Sequence, residues 1–334
     1  MKKAFITGIT GQDGSYLAEL LLTKNYKVIG LVSSKYNVGF ENINHLKDKL
    51  ILESGDLLNK KSLEKIFIKH HPNEVYNLAG FTFIPASWEK PVLNFDVNAL
   101  GPARLLEIIA QRFPKTKFLQ ASSARMFGDP KEFPQKETTP IDPFDPYSIA
   151  KATAYYLVKS FRIQFGLPCC NAILYNHESP RRPTEYVTRK ITNTAAKIKL
   201  GLAQKLILGN LDDKKDWGFA GDYVEAMWLM LQQKKPQDFI IASGKLHSVR
   251  DICQISFSHL GLDYKKYITI DQKLFRKKEG RQFYGDASKA KKILGWKPKL
   301  SFEKLIKMMV DNDLKLLKLP SSRPGESSKM IRLS

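Results

Sequence analysis

Tyr147-Ser148-Ile149-Ala150-Lys151 puts a phenol and an ammonium four positions apart. On a helix that spacing carries both side chains to one face, one turn from each other. A nearby ammonium favours the phenolate, so such a tyrosine can take the proton of a substrate hydroxyl while hydride leaves the same carbon. The spacing by itself recurs in many helices as nothing more than a solvated face. Here it follows an apolar run, Lys117 to Ala121, that ends in Ser122-Ser123, and the Ser123 hydroxyl is placed to bond the same substrate oxygen. Two residues further stands Arg125, a guanidinium with no acceptor lone pair, which keeps its proton at working pH.

A departing hydride needs an acceptor, and the N-terminus provides for one. Thr7-Gly8-Ile9-Thr10-Gly11-Gln12-Asp13-Gly14 joins the apolar run Lys2 to Thr7 to the helically spaced segment Ser15 to Leu22. Glycines let the backbone approach a pyrophosphate, and the helix N-terminus supplies free N–H groups and a positive dipole. Any tight strand-to-helix turn needs glycine, so it is the position after the first strand that makes Gly8, Gly11, Gln12, Asp13 and Gly14 candidates for dinucleotide binding. The end of the second strand, Val28 to Val32, selects the cofactor, since a carboxylate there holds ribose hydroxyls and arginines hold a 2′-phosphate. Ser33 and Ser34 offer hydroxyls, which favours NAD, while Lys35 keeps NADP open. Asp56 and Leu57 are expected beside the adenine, and Leu78, Ala79 and Gly80 at the close of a strand along the dinucleotide.

These residues must sit on something that brings strand ends together. Short apolar runs at Val75 to Leu78, Lys117 to Ala121 and Asn171 to Leu174 alternate with helical stretches at Ala99 to Arg112 and Ile149 to Gln164. That is the βαβ rhythm of an α/β fold, a Rossmann-type doubly wound parallel sheet. After Tyr175 the rhythm breaks at Pro180 and Pro183 and resumes as an amphipathic helix around Ile191 to Leu200. The expected division is a dinucleotide-binding domain over 1–176, 212–242 and 285–316, a smaller, partly discontinuous α/β substrate domain over 177–211 and 243–284, and a tail over 317–334.

Composition narrows the class. The 334 residues are 43% hydrophobic and 26% charged, ordinary for a globular chain with a substantial core. No apolar run is long enough to span a bilayer and no signal-peptide pattern opens the chain, so a cytoplasmic location without membrane contact is expected. Cys169, Cys170 and Cys253 form no CxxC pair, and the six histidines show no metal-binding spacing, so packing roles and no metal are expected. The net charge of +21 suits an anionic ligand, but the lysines are scattered and no nucleic-acid-binding motif stands out.

The residues in combination resemble the extended short-chain dehydrogenases/reductases, and within them the GDP-mannose 4,6-dehydratases. The resemblance is carried by Ile6 to Glu19, by Pro134-Gln135-Lys136-Glu137-Thr138-Thr139-Pro140, by Asn176-His177-Glu178-Ser179-Pro180-Arg181-Arg182, and by Gly209-Asn210-Leu211-Asp212 with Asp216-Trp217-Gly218, covering roughly residues 3 to 312. It implies a dehydrogenase triad of Ser123, Tyr147 and Lys151, with His177 and Arg182 at the cofactor. It implies a GDP-sugar held by Ser87, Asn176, Val187, Arg189, Lys190, Lys215, Arg276 and Glu279, and a homodimer or dimer of dimers. In the dimer the helix of Tyr147 would pair through an apolar flank of Ala150, Ala154 and Val158.

The chain departs from that family at telling places. The dehydratases carry Ser-Thr-Ser-Glu or Ser-Thr-Asp-Glu at the strand end, and their glutamate removes the C5 proton once C4 is a ketone, so that water leaves from C6. Here the stretch is Ser122-Ser123-Ala124-Arg125. Their arginine pair after the second strand is replaced by Ser33 and Ser34, and a polar Gln-Ser-His patch by Phe81-Thr82-Phe83. The expectation is NAD-dependent oxidation at C4 of GDP-mannose or a GDP-manno-heptose, the latter as in bacterial capsule pathways, without dehydration. The alternatives are a 4,6-dehydratase with another base, a 4-keto sugar reductase, a C4 epimerase, and a non-catalytic dinucleotide sensor or nucleic-acid binder.

Overall fold

The computed structural model describes residues 1–33, 39–275 and 283–319. Twelve strands are formed among them: β1 (Lys3–Thr7), β2 (Lys27–Val32), β3 (Ile51–Ser54), β4 (Glu74–Asn77), β5 (Lys117–Ser123), β6 (Cys169–Leu174), β7 (Asn176–Glu178), β8 (Leu206–Leu208), β9 (Lys214–Phe219), β10 (Phe239–Ile241), β11 (Leu246–Ser248) and β12 (Ile268–Ile270). The helices are α1 (Gln12–Thr23), α2 (Lys60–His70), α3 (Ile84–Glu89), α4 (Pro91–Phe95), α5 (Gly101–Arg112), α6 (Pro146–Phe165), α7 (Val187–Lys199), α8 (Ala220–Gln232), α9 (Val249–His259), α10 (Ser288–Leu294) and α11 (Phe302–Lys318).

Continuous apolar runs form strands buried on both faces, as a parallel sheet requires. Seven strands lie side by side in the order β10-β6-β5-β4-β1-β2-β3, every neighbouring pair parallel. Leu17, Ala18 and Leu21 of α1 pack on one face with Tyr223, Val224 and Met227 of α8 and with Ala290 and Leu294 of α10. Leu63 and Phe67 of α2, Leu105 and Ile109 of α5 and Val158 of α6 cover the other. The sheet is thus doubly wound. Chain order reverses between β1 and β4, and in such sheets the ligand crevice opens beyond the carboxyl ends of the strands at that switch point.

Two smaller sheets stand apart from the main one, β11-β9-β7 and the parallel pair β12-β8. Ile191, Ala195, Ile252, Phe257, Leu305, Ile306 and Met309 make a third core between α7, α9 and α11. Within the stretch 285–316, α10 packs on the main sheet, whereas α11 buries its apolar stripe against α7 and α9.

The flank of α6 expected to face a partner is also relocated. Ala150, Ala154 and Val158 are fully buried within the chain itself. The exposed apolar stripe of α6 is Ile149, Tyr156 and Ile163, spaced seven residues apart and 39%, 52% and 80% exposed. No helix among the described residues is long and apolar enough to cross a membrane.

Candidate active site

β1 ends in Thr7, whose hydroxyl donates to Asn77 Oδ1 at 2.6 Å and accepts from the N–H groups of Leu78 and Ala79 at 3.1 and 3.0 Å. That oxygen ties the tips of β1 and β4 together and fixes the floor of the crevice. Gly8 follows with φ of 71°, and a Cβ there would lie 2.8 Å from the Ala79 nitrogen. A Cβ on Gly14 would come within 2.2 Å of the Gly8 carbonyl oxygen. Both positions exclude a side chain, and α1 opens at Gln12 directly after Gly11, aiming its N–H groups at the space above the turn.

Gln12 and Asp13 brace the turn from below. Gln12 Nε2 donates to the His177 carbonyl at 3.1 Å, and Ser179 donates to Gln12 Oε1 at 2.8 Å. His177 Nε2 lies 2.8 Å from Asp13 Oδ2 and Nδ1 lies 2.7 Å from the Tyr175 carbonyl. Burial alone would push the imidazole down, but Asp13 and its hydrogen bonds hold it above its ordinary value, and the same pairing overcomes burial to hold Asp13 below the carboxylate range. Both ring nitrogens thus face oxygen acceptors, and the ring stacks on Tyr223 at 4.6 Å. Asp56 is buried with Oδ1 accepting from Leu58 N, and Leu57 packs in the second core. Ser33 leaves the tip of β2, while Ser34, Lys35, Arg276 and Glu279 lie outside the described residues.

The second half of the site is delivered by β5 and α6. Asp145 caps α6 by accepting from Ser148 N at 2.8 Å, Pro146 takes the first helical position where no N–H is needed, and Tyr147 is thereby presented in the first turn. Ser123, the last residue of β5, accepts from Arg125 N at 3.2 Å and lies close enough to the Tyr147 hydroxyl to favour its phenolate. Lys151 sits 5.8 Å from the centre of the Tyr147 ring, with Nζ donating to the Ala121 carbonyl at 2.9 Å. Burial pushes the phenol up to about 12, opposed by Ser123, Arg182 and Arg125. Burial pushes the Lys151 ammonium down to about 8, opposed by Asp13.

The two halves meet at Gly80. A Cβ there would lie 3.0 Å from Asn98 Oδ1 and 3.5 Å from Lys151 Nζ, so the dinucleotide crevice runs directly into the phenol and ammonium. Arg182 stacks on Tyr186 at 3.6 Å, and the Tyr186 hydroxyl lies 2.8 Å from Thr82 Oγ1, closing the far side with Phe83. Arg125 Nε donates to Asp145 Oδ2 at 2.7 Å, and its guanidinium lies 5.2 Å from the Phe144 ring.

Of the residues expected at the sugar nucleotide, Asn176 is exposed at the start of β7, and Val187 and Lys190 open α7, with Lys190 Nζ on the Ile207 carbonyl. Lys215 pairs with Asp213 at 2.8 Å. Arg189 and Ser87 are turned into the protein. Arg189 is buried, with Nε and Nη2 on Asp313 and Nη1 on the Pro180 and Arg182 carbonyls, so its fork is spent inside the protein. Ser87 is wholly buried and donates to the Ile84 carbonyl. One residue went unread in the sequence: Asn98, whose amide both accepts from Phe81 N and donates to Phe81 O, shaping the loop under the site. It lies in a π-helical turn, Asp96–Leu100, a bulge frequent at functional sites that carries no local sequence signature. The three cysteines are buried, and no three metal-ligating side chains cluster among the described residues.

A glycine turn at the switch point, with Ser, Tyr and Lys converging beyond it, defines an enzyme of the extended short-chain dehydrogenase/reductase type. The model of the GDP-mannose 4,6 dehydratase family matches residues 5–309. GDP-mannose 4,6 dehydratase 2 of Arabidopsis thaliana is 49% identical over 329 residues, 95% of this chain and 88% of the relative. The human GDP-mannose 4,6 dehydratase is 43% identical over 342 residues, 94% and 92% of the two chains. Among solved structures, the UDP-glucose 4-epimerase of Thermotoga maritima superposes with a TM-score of 0.85 at 25% identity, covering 95% of this chain and 100% of that one. The chain belongs to the GDP-mannose 4,6-dehydratase family. The relatives' names specify GDP-mannose and 4,6-dehydration, which speaks for the dehydratase alternative and lends nothing to a heptose or to capsule synthesis.

Proposed function

We propose that this chain holds NAD beside a GDP-sugar and oxidises the sugar at C4, the reaction stopping at the 4-ketone. Tyr147 takes the C4 hydroxyl proton and Ser123 holds the same oxygen; Ser123, Arg182 and Arg125 favour the phenolate against burial, and Lys151, 5.8 Å from the ring centre, adds its charge on the same side. Bound NAD would accept the hydride. The absence of an arginine at positions 33 and 34 supports NAD over NADP. The sugar would be mannose or a manno-heptose, and Asn176, Val187, Lys190 and Lys215 would line the GDP side, the two ammonium groups and the amide suiting a pyrophosphate and the guanine edge.

The observation that carries the stop at the ketone is Arg125. A guanidinium cannot remove a proton from carbon, and its bond to Asp145 occupies the carboxylate beside it. A second reading, full 4,6-dehydration, is favoured by the family membership. Mass spectrometry of GDP-mannose and GDP-manno-heptose incubated with enzyme and NAD decides between them. Loss of two hydrogens is the expected result. Loss of one water establishes the second reading, and unchanged sugars under saturating NAD overturn both.

The exposed stripe of α6, with Trp88, Val92 and Leu100 of the neighbouring helices at 62%, 82% and 49% exposure, supports a homodimer in which two such faces meet. Ile163→Glu would place two charges at that seam. Light scattering should read a dimer for the unaltered chain and a monomer for the variant, and a dimer in both would remove α6 from the interface.

A further inference from the structure

We infer that Asp145 and Arg125 act as one unit that decides how far the reaction runs, with Asp145 the hidden half of the determinant; the inference rests on the proposed C4 oxidation. Asp145 is 1% exposed and uses both oxygens, Oδ1 on Ser148 N and Oδ2 on Arg125 Nε at 2.7 Å. It cannot turn away without uncapping the helix that presents Tyr147. Arg125 is fixed from two sides, its Nε on Asp145 and its backbone N–H on the Ser123 hydroxyl at 3.2 Å, while its two terminal nitrogens bond no described residue. A cation therefore stands beside Ser123 and Tyr147, where C4 and its neighbouring carbons must lie.

The pair explains why exchanging Arg125 alone should not install elimination. Arg125→Glu would bring a second carboxylate against the buried, immobile carboxylate of Asp145. Two such groups repel or share a proton, and an acid that is turned away or protonated is no base. Asp145→Ser removes the competing charge and retains a side-chain oxygen able to cap α6. With both exchanged, a free carboxylate can take the C5 proton of the 4-ketone. The electron pair then expels the C6 hydroxyl, which leaves as water with the proton the carboxylate took; bound, reduced NAD would supply the hydride to C6, and a solvent proton adds to C5. The sequence loses one water and consumes no external oxidant.

The test compares the unaltered enzyme, R125E, D145S and the double variant R125E/D145S in deuterated buffer with NAD and GDP-mannose or GDP-manno-heptose. Deuterium entry at C5 of the 4-keto product and loss of water are read by mass spectrometry and NMR. The double variant should exchange C5 at least ~10-fold faster than R125E, the order a positioned base supplies. Elimination in R125E as fast as in the double variant overturns the inference, as does C5 exchange no faster in the double variant than in the unaltered enzyme. Quenching of tryptophan fluorescence by NAD reports whether each variant is folded, and R125D/D145N replaces the double variant should it fail that check. If the unaltered enzyme itself releases the dehydrated sugar, the C4-oxidation reading falls too; if it stops at the ketone and only the variants disagree, the inference alone falls.

Discussion

Tyr147→Phe is expected to lower C4 oxidation by about 10³-fold, within the range supplied by a positioned acid or base, while NAD binding changes little. The phenol is displaced upward by burial to about 12 and drawn back by Ser123, Arg182 and Arg125, so the reactive phenolate grows with pH. The pH profile of kcat/KM should therefore rise toward alkaline pH, and the rise should vanish in the variant; a rising limb of equal slope in Tyr147→Phe would assign the base elsewhere. Lys151 makes the companion case through stability. Its pKa falls from 10.5 unfolded to about 8 folded, so between those values the unfolded chain binds more protons and stability increases with pH. Below about 8 the whole penalty of burying the ammonium is present, on the order of 3 kcal/mol. Lys151→Met should thus abolish oxidation yet raise the melting temperature of the cofactor-free protein at pH 7, with the gap narrowing at pH 10. A variant that melts lower at pH 7 would mean that the Ala121 bond outweighs the buried charge.

Features written in local spacing are legible in the sequence alone. The Gly8 to Gly14 turn and the Tyr147 to Lys151 helix depend on residues a few positions apart, and the apolar runs of β1, β4 and β5 on side chains buried on both faces. What stayed hidden is what joins distant segments. Ala150, Ala154 and Val158 and the stripe of Ile149, Tyr156 and Ile163 are both apolar faces of one helix, and periodicity cannot say which faces the protein's own sheet. Asp145 caps α6 through Ser148 N, three residues away, but its bond to Arg125 spans twenty residues and a change of element. The resemblance sets Arg189 at the GDP side, and nothing local in the sequence shows its counter-charge, Asp313, 124 positions away.

That last pair supports the largest expected effect on stability. Asp313 is wholly buried and accepts from Arg189 Nε at 2.8 Å and Nη2 at 2.6 Å, from Thr192 at 2.8 Å and from Asn193 at 3.3 Å. Removing one partner of a buried ion pair strands the other, at a cost of about 3–5 kcal/mol, a large share of the ~5–15 kcal/mol that holds a domain folded. Asp313→Ala should lower the urea midpoint sharply. It should also weaken NAD binding, because the same guanidinium that Asp313 holds donates to the Arg182 carbonyl at 2.8 Å and so fixes the segment at the cofactor crevice. Arg189→Met combined with Asp313→Leu removes both charges together and should be less destabilised than Asp313→Ala alone, since apolar groups of similar volume need no partner. If the double variant is the weaker of the two, the stranded charge is not what destabilises Asp313→Ala, and the hydrogen bonds of Asp313 to Thr192 and Asn193 carry the loss instead.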